Sequence, residues 1–169
     1  MEAKNPLILT VRLDPESQQY FNSMRLKYFP PERNLLNAHL TLFHQLPDEE
    51  ETLHVISSLE VNPFEMEVTR LINLGAGVAF KIDAEPLEAL RKKLRNAFDA
   101  QLIPQDKQGF RGHITIQNKT TPEQAKALLS ELNGEFEPFT VKALGLDLWE
   151  YLGGPWKHRS YHSFSYLDK

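Results

Sequence analysis

The sequence predicts an α+β fold of two lobes related by a pseudo-two-fold axis, with two mostly antiparallel sheets forming a central groove and helices on the outside. Three observations predict it. The order strand–helix–strand–helix–strand can be traced twice along the 169 residues. Two stretches, "NAHLTLF" at 37–43 and "RGHITIQ" at 111–117, repeat one series of His, aliphatic, Thr, aliphatic. The landmarks around them keep register. Asp14 precedes His39 by 25 residues and Asp83 precedes His113 by 30, while Phe64 follows His39 by 25 and Phe139 follows His113 by 26.

Each element has a local reason. "LILTVRL" at 7–13 is a run of branched apolar residues and reads as a strand. Asp14 is suited to cap a helix, Pro15 to its first position and Glu16 to its first turn, and Tyr20, Phe21, Met24 and Tyr28 then recur at helical spacing. "FPPER" ends that helix, because proline has no amide proton to give and clashes with the preceding turn. The strand "AHLTLF" follows, then an acidic helix start, "DEEETLHVISSL", with Leu53, Ile56 and Leu59 inward. "FEMEVTRLINL" and "GVAFKID" alternate as strands. From Asp83 the order repeats. Asp83 and Pro86 introduce a helix with Leu87, Leu90, Leu94 and Phe98 on one face, and the loop "IPQDKQGFRG" leads into the strand "HITIQ". Thr121 and Pro122 open another helix, and "FTVKALGLDLWEYL" and "SYHSFSYL" read as the last strands. The seam falls near Gly75 to Val78. It divides a single domain, residues 1–169, into lobes of about 1–76 and 77–169 that exchange strands, with no Pro-, Gly- or Ser-rich linker between them.

Composition narrows the chemistry. With 41% apolar and 25% charged residues the chain has the makings of a folded core and not of a disordered tail. It contains no cysteine, which excludes disulfides, thiolate nucleophiles and zinc–thiolate sites and fits a reducing compartment. No apolar run approaches the roughly 20 residues that span a bilayer. "MEAKNPLILTVRLD" shows no basic leader or cleavage site, so the expected location is the cytoplasm, away from membranes. The net charge of -4 argues against a protein that grips long nucleic acid through many phosphates, and DNA is not an expected partner. A nucleotide ligand is expected to be small or held by a local cluster of cations. The chain is expected to be a monomer.

The repeated motif carries the functional reading. Side chains alternate faces along a strand, so His39 and Thr41 share one face, with Leu40 and Leu42 on the other, and His113 and Thr115 oppose Ile114 and Ile116 in the same way. A pseudo-two-fold axis sets the two pairs face to face. Two imidazoles on one cleft can move two protons near neutral pH, one taking the proton of an attacking water and the other giving a proton to the leaving oxygen. Threonine hydroxyls can hold the nonbridging phosphoryl oxygens. That chemistry needs neither a metal nor a cofactor, and cleavage of a phosphodiester or cyclic phosphodiester is its natural match. A lone His-x-Thr means little; two copies at matching places in a repeat favour function.

The duplicated "HLTL" and "HITI", together with "PPERNLLNAHLTLFHQLP", "QGFRGHITIQNK" and "LWEYLGGPW", resemble the 2H phosphoesterase superfamily, in particular its bacterial 2′-5′ RNA ligase-like branch. The resemblance covers nearly the whole chain. It implies a bilobal α+β fold with both motifs lining a central groove, and metal-independent opening of cyclic phosphodiesters, above all 2′,3′-cyclic phosphates of small nucleotides or RNA 3′ ends. It makes His39 and His113 the acid–base pair and Thr41 and Thr115 the phosphate holders. Which histidine is acid and which is base is not set by a pseudo-symmetric sequence, although family habit has His113 activate water. Two rival readings are ATP-independent 2′-5′ end ligation or cleavage of another small nucleotide, and a nucleotide- or RNA-binding module without turnover.

Other residues are candidates for the substrate. Phe43 faces the groove by strand parity and can stack on a base; Arg111, two before His113, and Lys119, at the end of that strand, can meet phosphate. Trp149, Tyr151 or Trp156 can wall a base pocket. His44 falls on the other face and reads as structural or supporting. His158 and His162 have the spacing of a helical metal pair, but their surroundings read as strand and no third ligand is evident, so no metal site is expected. In "RKKLR", at 91–95, Leu94 points inward and the cations are expected to fan over the exposed side.

Overall fold

The structure, a computed structural model, describes residues 4–166. Its elements are β1 (Leu7–Leu13), α1 (Pro15–Tyr28), β2 (Leu40–Leu46), α2 (Glu50–Ser57), β3 (Phe64–Asn73), β4 (Val78–Asp83), α3 (Glu85–Ala97), the single turn α4 (Pro104–Lys107), β5 (His113–Gln117), α5 (Pro122–Asn133), β6 (Phe139–Tyr151) and β7 (Trp156–Ser163). Every strand pairing is antiparallel. The final strand starts at Trp156, earlier than "SYHSFSYL" suggests, and Leu167 of that stretch lies outside the described residues.

The strands form one seven-stranded sheet in the order β2-β1-β6-β3-β4-β5, with β7 also on β6. The thirteen-residue β6 is long enough to serve both halves. Its first residues pair with β3, Val68 opposite Phe139 and Phe64 opposite Ala143. Beyond them, Gly145 lies between Arg12 of β1 and Ser163 of β7. The two sheets read from the sequence are thus halves of one sheet, fused along β6. β3 turns back at Gly75, whose φ of +93° suits glycine, and pairs with β4. The end strands β2 and β5, far apart in the strand order, come into contact with each other. Those are the strands that carry the two His-x-Thr motifs.

Helices lock this closure by crossing over. Phe21 of α1 is fully buried against Phe80 of β4 and Phe139 of β6, and α1 packs on β5. On α3, Leu87, Leu90 and Leu94 are buried, with Phe98 just beyond its end, and Phe98 meets Phe43 of β2 edge to face with ring centres 5.7 Å apart. Each half therefore sends a helix over the motif strand of the other. Apolar residues on the covered faces of those strands, Leu40, Leu42, Ile114 and Ile116, are buried to 1% or less. Removing one of them costs about 2–5 kcal/mol on the usual scale for a core aliphatic cut to alanine.

Buried arginines complete the crossing, and one of them corrects the sequence reading. Arg91 does not fan into solvent with its neighbours; it is buried, donating from Nε to the Leu42 carbonyl (2.9 Å) and from Nη2 to the Asp106 carbonyl (2.6 Å), with its guanidinium over the Phe43 ring. Its place on the Leu87–Leu94 face sets this direction. Asp83 likewise departs from its expected role. The helix begins after Ala84 without a side-chain cap, and Asp83 instead accepts from Lys81 Nζ and Thr69 Oγ1, both at 2.6 Å. Asp14 does cap α1, accepting from the Ser17 amide, and Thr121 forms a capping box with Gln124 on α5.

Candidate active site

β2 and β5 deliver their histidines in the same pose. His39 Nδ1 donates to the carbonyl of Asn37 at 2.8 Å, and His113 Nδ1 donates to the carbonyl of Arg111 at 2.8 Å. A carbonyl can only accept, so in each neutral ring the proton sits on Nδ1 and the Nε2 lone pair is left for chemistry. The two residues are close enough for the charge of His113 to act on His39. Thr41 and Thr115 are partly exposed on the groove side of their strands.

Two adjoining cavities open at His39. The larger, about 590 Å³, runs between β1, α1 and the 34–38 loop, with Thr10, Arg12, Asp147, Trp149 and Trp156 among its walls. The smaller, about 290 Å³, brings His39 and Thr115 together with Arg25, Arg33, Lys119 and Tyr151. His39, Arg25 and Trp156 belong to both. Trp156 lies against the His39 ring with centres 4.6 Å apart. His113 and Thr41 stand outside the walls of both cavities.

The surroundings hold His39 neutral. Burial is the main cause, and the charges of Arg25, His113 and His44 push the same way, against the Asn37 hydrogen bond that favours the charged ring. Its pKa is pulled down from 6.5 to about 4. Arg25 is a buried cation without a carboxylate partner among the described residues. It donates from Nε to Asn34 Oδ1 (3.1 Å) and from Nη1 to the Thr115 carbonyl (3.2 Å), and lies over the Phe29 ring. Burial lowers it to about 10, so it stays charged at neutral pH.

Several predicted substrate residues sit at the groove. Trp149 lines the larger cavity and donates from Nε1 to Thr10 Oγ1 at 2.9 Å. Tyr151, 40% exposed, and Lys119 line the smaller one. Arg111 lends its carbonyl to His113, while its side chain is exposed and outside both cavities. Phe43 is a correction: it is fully buried in the core and cannot stack on a base. The cause is a bulge in β2. Thr10 and Leu9, neighbours on β1, pair with Thr41 and Phe43, so one residue is extra on β2 and the alternation flips after Leu42. That flip sends Phe43 inward and leaves His44 exposed, with His44 Nδ1 donating to the buried Asp106 at 2.9 Å. His158 and His162 are engaged separately, His158 Nε2 with Asp147 (2.7 Å) and His162 Nε2 with the Leu59 carbonyl (3.1 Å). Among the described residues no group of three His, Asp or Glu is placed to hold a metal ion, and no helix is long and apolar enough to cross a membrane.

The sequence reading missed Arg25, Arg33 and the Arg12–Asp147 pair. Arg12 meets the buried Asp147 at 2.6 and 2.8 Å. Arg25 had a signal: it lies four residues after Phe21 on the inward side of α1, where a cation is out of keeping with an apolar face. Arg33 sits in an irregular connection and had none.

Fold and paired motifs together define a bilobal, two-histidine architecture, and comparison gives it a family. The sequence matches the 2′-5′ RNA ligase superfamily over residues 13–155, and the chain belongs to that superfamily of 2H phosphoesterases. Solved structures share the fold. E. coli LigT complexed with 3′-AMP is 16% identical, with a TM-score of 0.63 and 96% of this chain and 99% of that one covered. TT0787 of Thermus thermophilus is 19% identical, with a TM-score of 0.67 and coverage of 94% and 97%. A further structure described as a phosphoesterase is 17% identical, with a TM-score of 0.65 and coverage of 96% and 99%. No curated protein matches the chain by sequence.

Proposed function

We propose that this protein is a metal-independent cyclic phosphodiesterase that opens 2′,3′-cyclic phosphates of nucleotides or RNA 3′ ends. The observation that carries the reading is the matched pose of the two imidazoles, each tied through Nδ1 to the carbonyl two residues earlier and each with Nε2 left open, on strands that meet. Nucleotides fit the aromatic and cationic walls of the groove, and LigT, which shares the fold, has been crystallised with 3′-AMP, ATP, NADP+ and phosphate.

The steps follow from the two environments. A water is deprotonated by His39, which enters neutral because burial and Arg25 disfavour its charged form. The oxygen attacks phosphorus, the bond to one ribose oxygen breaks, and His113 as imidazolium gives that oxygen its proton. The Thr41 and Thr115 hydroxyls and the Arg25 guanidinium stabilise the charge gained on the phosphoryl oxygens. This assigns the base to His39, the reverse of the family habit, on the strength of its surroundings.

The test is turnover of 2′,3′-cyclic AMP, GMP, CMP and UMP with EDTA present. Hydrolysis to a nucleoside monophosphate, unchanged by the chelator, is expected. Nucleotide binding without turnover on any substrate would favour a silent binding module. Joining of a 2′,3′-cyclic phosphate end to a 5′-hydroxyl end would favour the ligase.

A further inference from the structure

The smaller cavity carries more positive charge than the reaction uses. Its walls contain Arg25, Arg33 and Lys119, and neither an Asp nor a Glu. The protein as a whole is acidic, with a net charge of -4, so this is a local reversal. A cyclic phosphodiester brings one negative charge, and its transition state gains one more on the phosphoryl oxygens. Arg25, the two threonines and one imidazolium answer that charge beside His39. Arg33 and Lys119 remain.

Those two cations come from unrelated parts of the chain. Arg33 ends the 3-10 turn Pro31–Arg33 just before β2, and Lys119 follows β5. Neither makes an ion pair among the described residues, whereas Arg12, Lys81, Arg95 and Arg159 all do. Lys119 is also the one non-glycine residue with a positive φ, +58°, among the described residues, its amide donating to Asn118 Oδ1 at 2.9 Å. A lysine in that region is disfavoured relative to an ordinary backbone, so the chain holds it there against a local preference. Three cations gathered without a carboxylate repel one another, and an anion of more than one charge relieves that repulsion.

We propose that Arg33 and Lys119 form a subsite for a second phosphate, so that the enzyme prefers a ribonucleotide carrying another phosphate besides the one it opens. The inference rests on the phosphodiesterase reading for its reaction but not for its binding. The shared chemistry is a second phosphate on the same nucleotide unit, whether the internucleotide linkage of an RNA 3′ end or a 5′-monophosphate.

Binding is measured first, because it is independent of turnover. Adenosine 3′,5′-bisphosphate is expected to bind at least about tenfold more tightly than 3′-AMP, the advantage shrinking as salt rises. In Arg33→Ala/Lys119→Ala that ratio is expected to fall to near one; both side chains are exposed, so the core is untouched. Equal affinity of the wild-type protein for the two ligands, or an unchanged ratio in the double variant, overturns the subsite. In turnover, a dinucleotide ending in a 2′,3′-cyclic phosphate and 5′-phosphoadenosine 2′,3′-cyclic phosphate are compared with 2′,3′-cyclic AMP, the first two separating the sources of the second phosphate. A lower KM for either supports the subsite and identifies its source; equal KM values for all three overturn it. Turnover of none, with the binding ratio intact, defeats the phosphodiesterase reading and leaves the subsite standing.

Discussion

β2 and β5 are two versions of one design, and they differ in what encloses them. Both place a histidine with Nδ1 on the carbonyl two residues back, and both are held by a buried arginine from a helix of the other half, Arg91 on the Leu42 carbonyl and Arg25 on the Thr115 carbonyl. Both have a fixed cation on the neighbouring strand. Lys81, which pairs with His113, is held by Asp83; Arg12, two residues beyond the Thr10 that pairs with Thr41, is held by Asp147. Both strands also bulge after their threonine, which buries Gln117 on β5 as it buries Phe43 on β2, yet only His39 is enclosed by Trp156 and Arg25. Duplication sets the pair of candidate reactive groups, and the proposed split into base and acid rests on their unmatched surroundings.

The largest break in the comparison is loss of either imidazole. His39→Ala and His113→Ala are each expected to lower kcat on a 2′,3′-cyclic nucleotide by about 10³-fold, in the range of paired acid–base groups. The double variant is expected to be little worse than either single one, since the two act as a unit. Steady-state kinetics on the three proteins checks this, and additive losses would mean that they do not share one reaction. The threonines sharpen the contrast at a smaller scale. Thr115 lines a cavity with His39 and Thr41 does not, so Thr115→Val is expected to cost about 10²-fold in kcat and Thr41→Val nearer tenfold. Equal losses would argue that the bound phosphate sits midway between the strands.

The asymmetry in charge predicts an asymmetric pH profile. His39 binds a proton only near pH 4 in the folded protein, so as the base it stays active well below neutrality, and the acid limb of kcat/KM is expected close to 4. In His113→Ala the residual activity is expected to keep this acid limb, because the group that sets it is still present. Arg25→Gln removes one of the charges that hold His39 neutral and is expected to move the acid limb upward. A profile whose acid limb ignores Arg25 would return the base to His113. The same shift bears on stability. A group whose charged form is disfavoured by folding stabilises the protein above its unfolded pKa, here 6.5, and that contribution is lost as pH falls toward 4.

What the sequence disclosed follows from which signals are local. The placing of the main strands and the Asp14 and Thr121 caps depend on neighbours within a few residues, and these read correctly. The misreadings arose where distant partners decide. The β2 bulge that turns Phe43 inward is visible only against β1. Arg91 goes inward because the carbonyls of Leu42 and Asp106 await it. Of the candidate reactive groups, the two His-x-Thr pairs were legible because they repeat. Arg33 and Asp147 were not, because nothing local marks them, and Arg25 showed only as a cation out of keeping with the inward side of α1.

The smallest effect tests the repeat at its two helix starts. Asp14 and Asp83 stand at matching places, but only Asp14 caps a helix. Asp14 accepts from the Ser17 amide and hydroxyl and from the Lys142 amide, so it also ties α1 to β6. Burial works against its charge, and the hydrogen bonds from Lys142 and Ser17 outweigh that, leaving the carboxyl below its usual range. The stabilisation is therefore present above the unfolded pKa of about 4 and is lost as pH falls through the lower folded value. Asp14→Ala is expected to cost about 1–2 kcal/mol at pH 7 in urea unfolding, and its difference from wild type to narrow in acid. Asp83→Ala removes no cap and is expected to cost less, because its partner Lys81 is a surface-type ion pair with Asp83 about half exposed. If Asp83→Ala proved the more damaging, the anchoring of Lys81 beside His113 would rank above helix capping as the reason for an aspartate there.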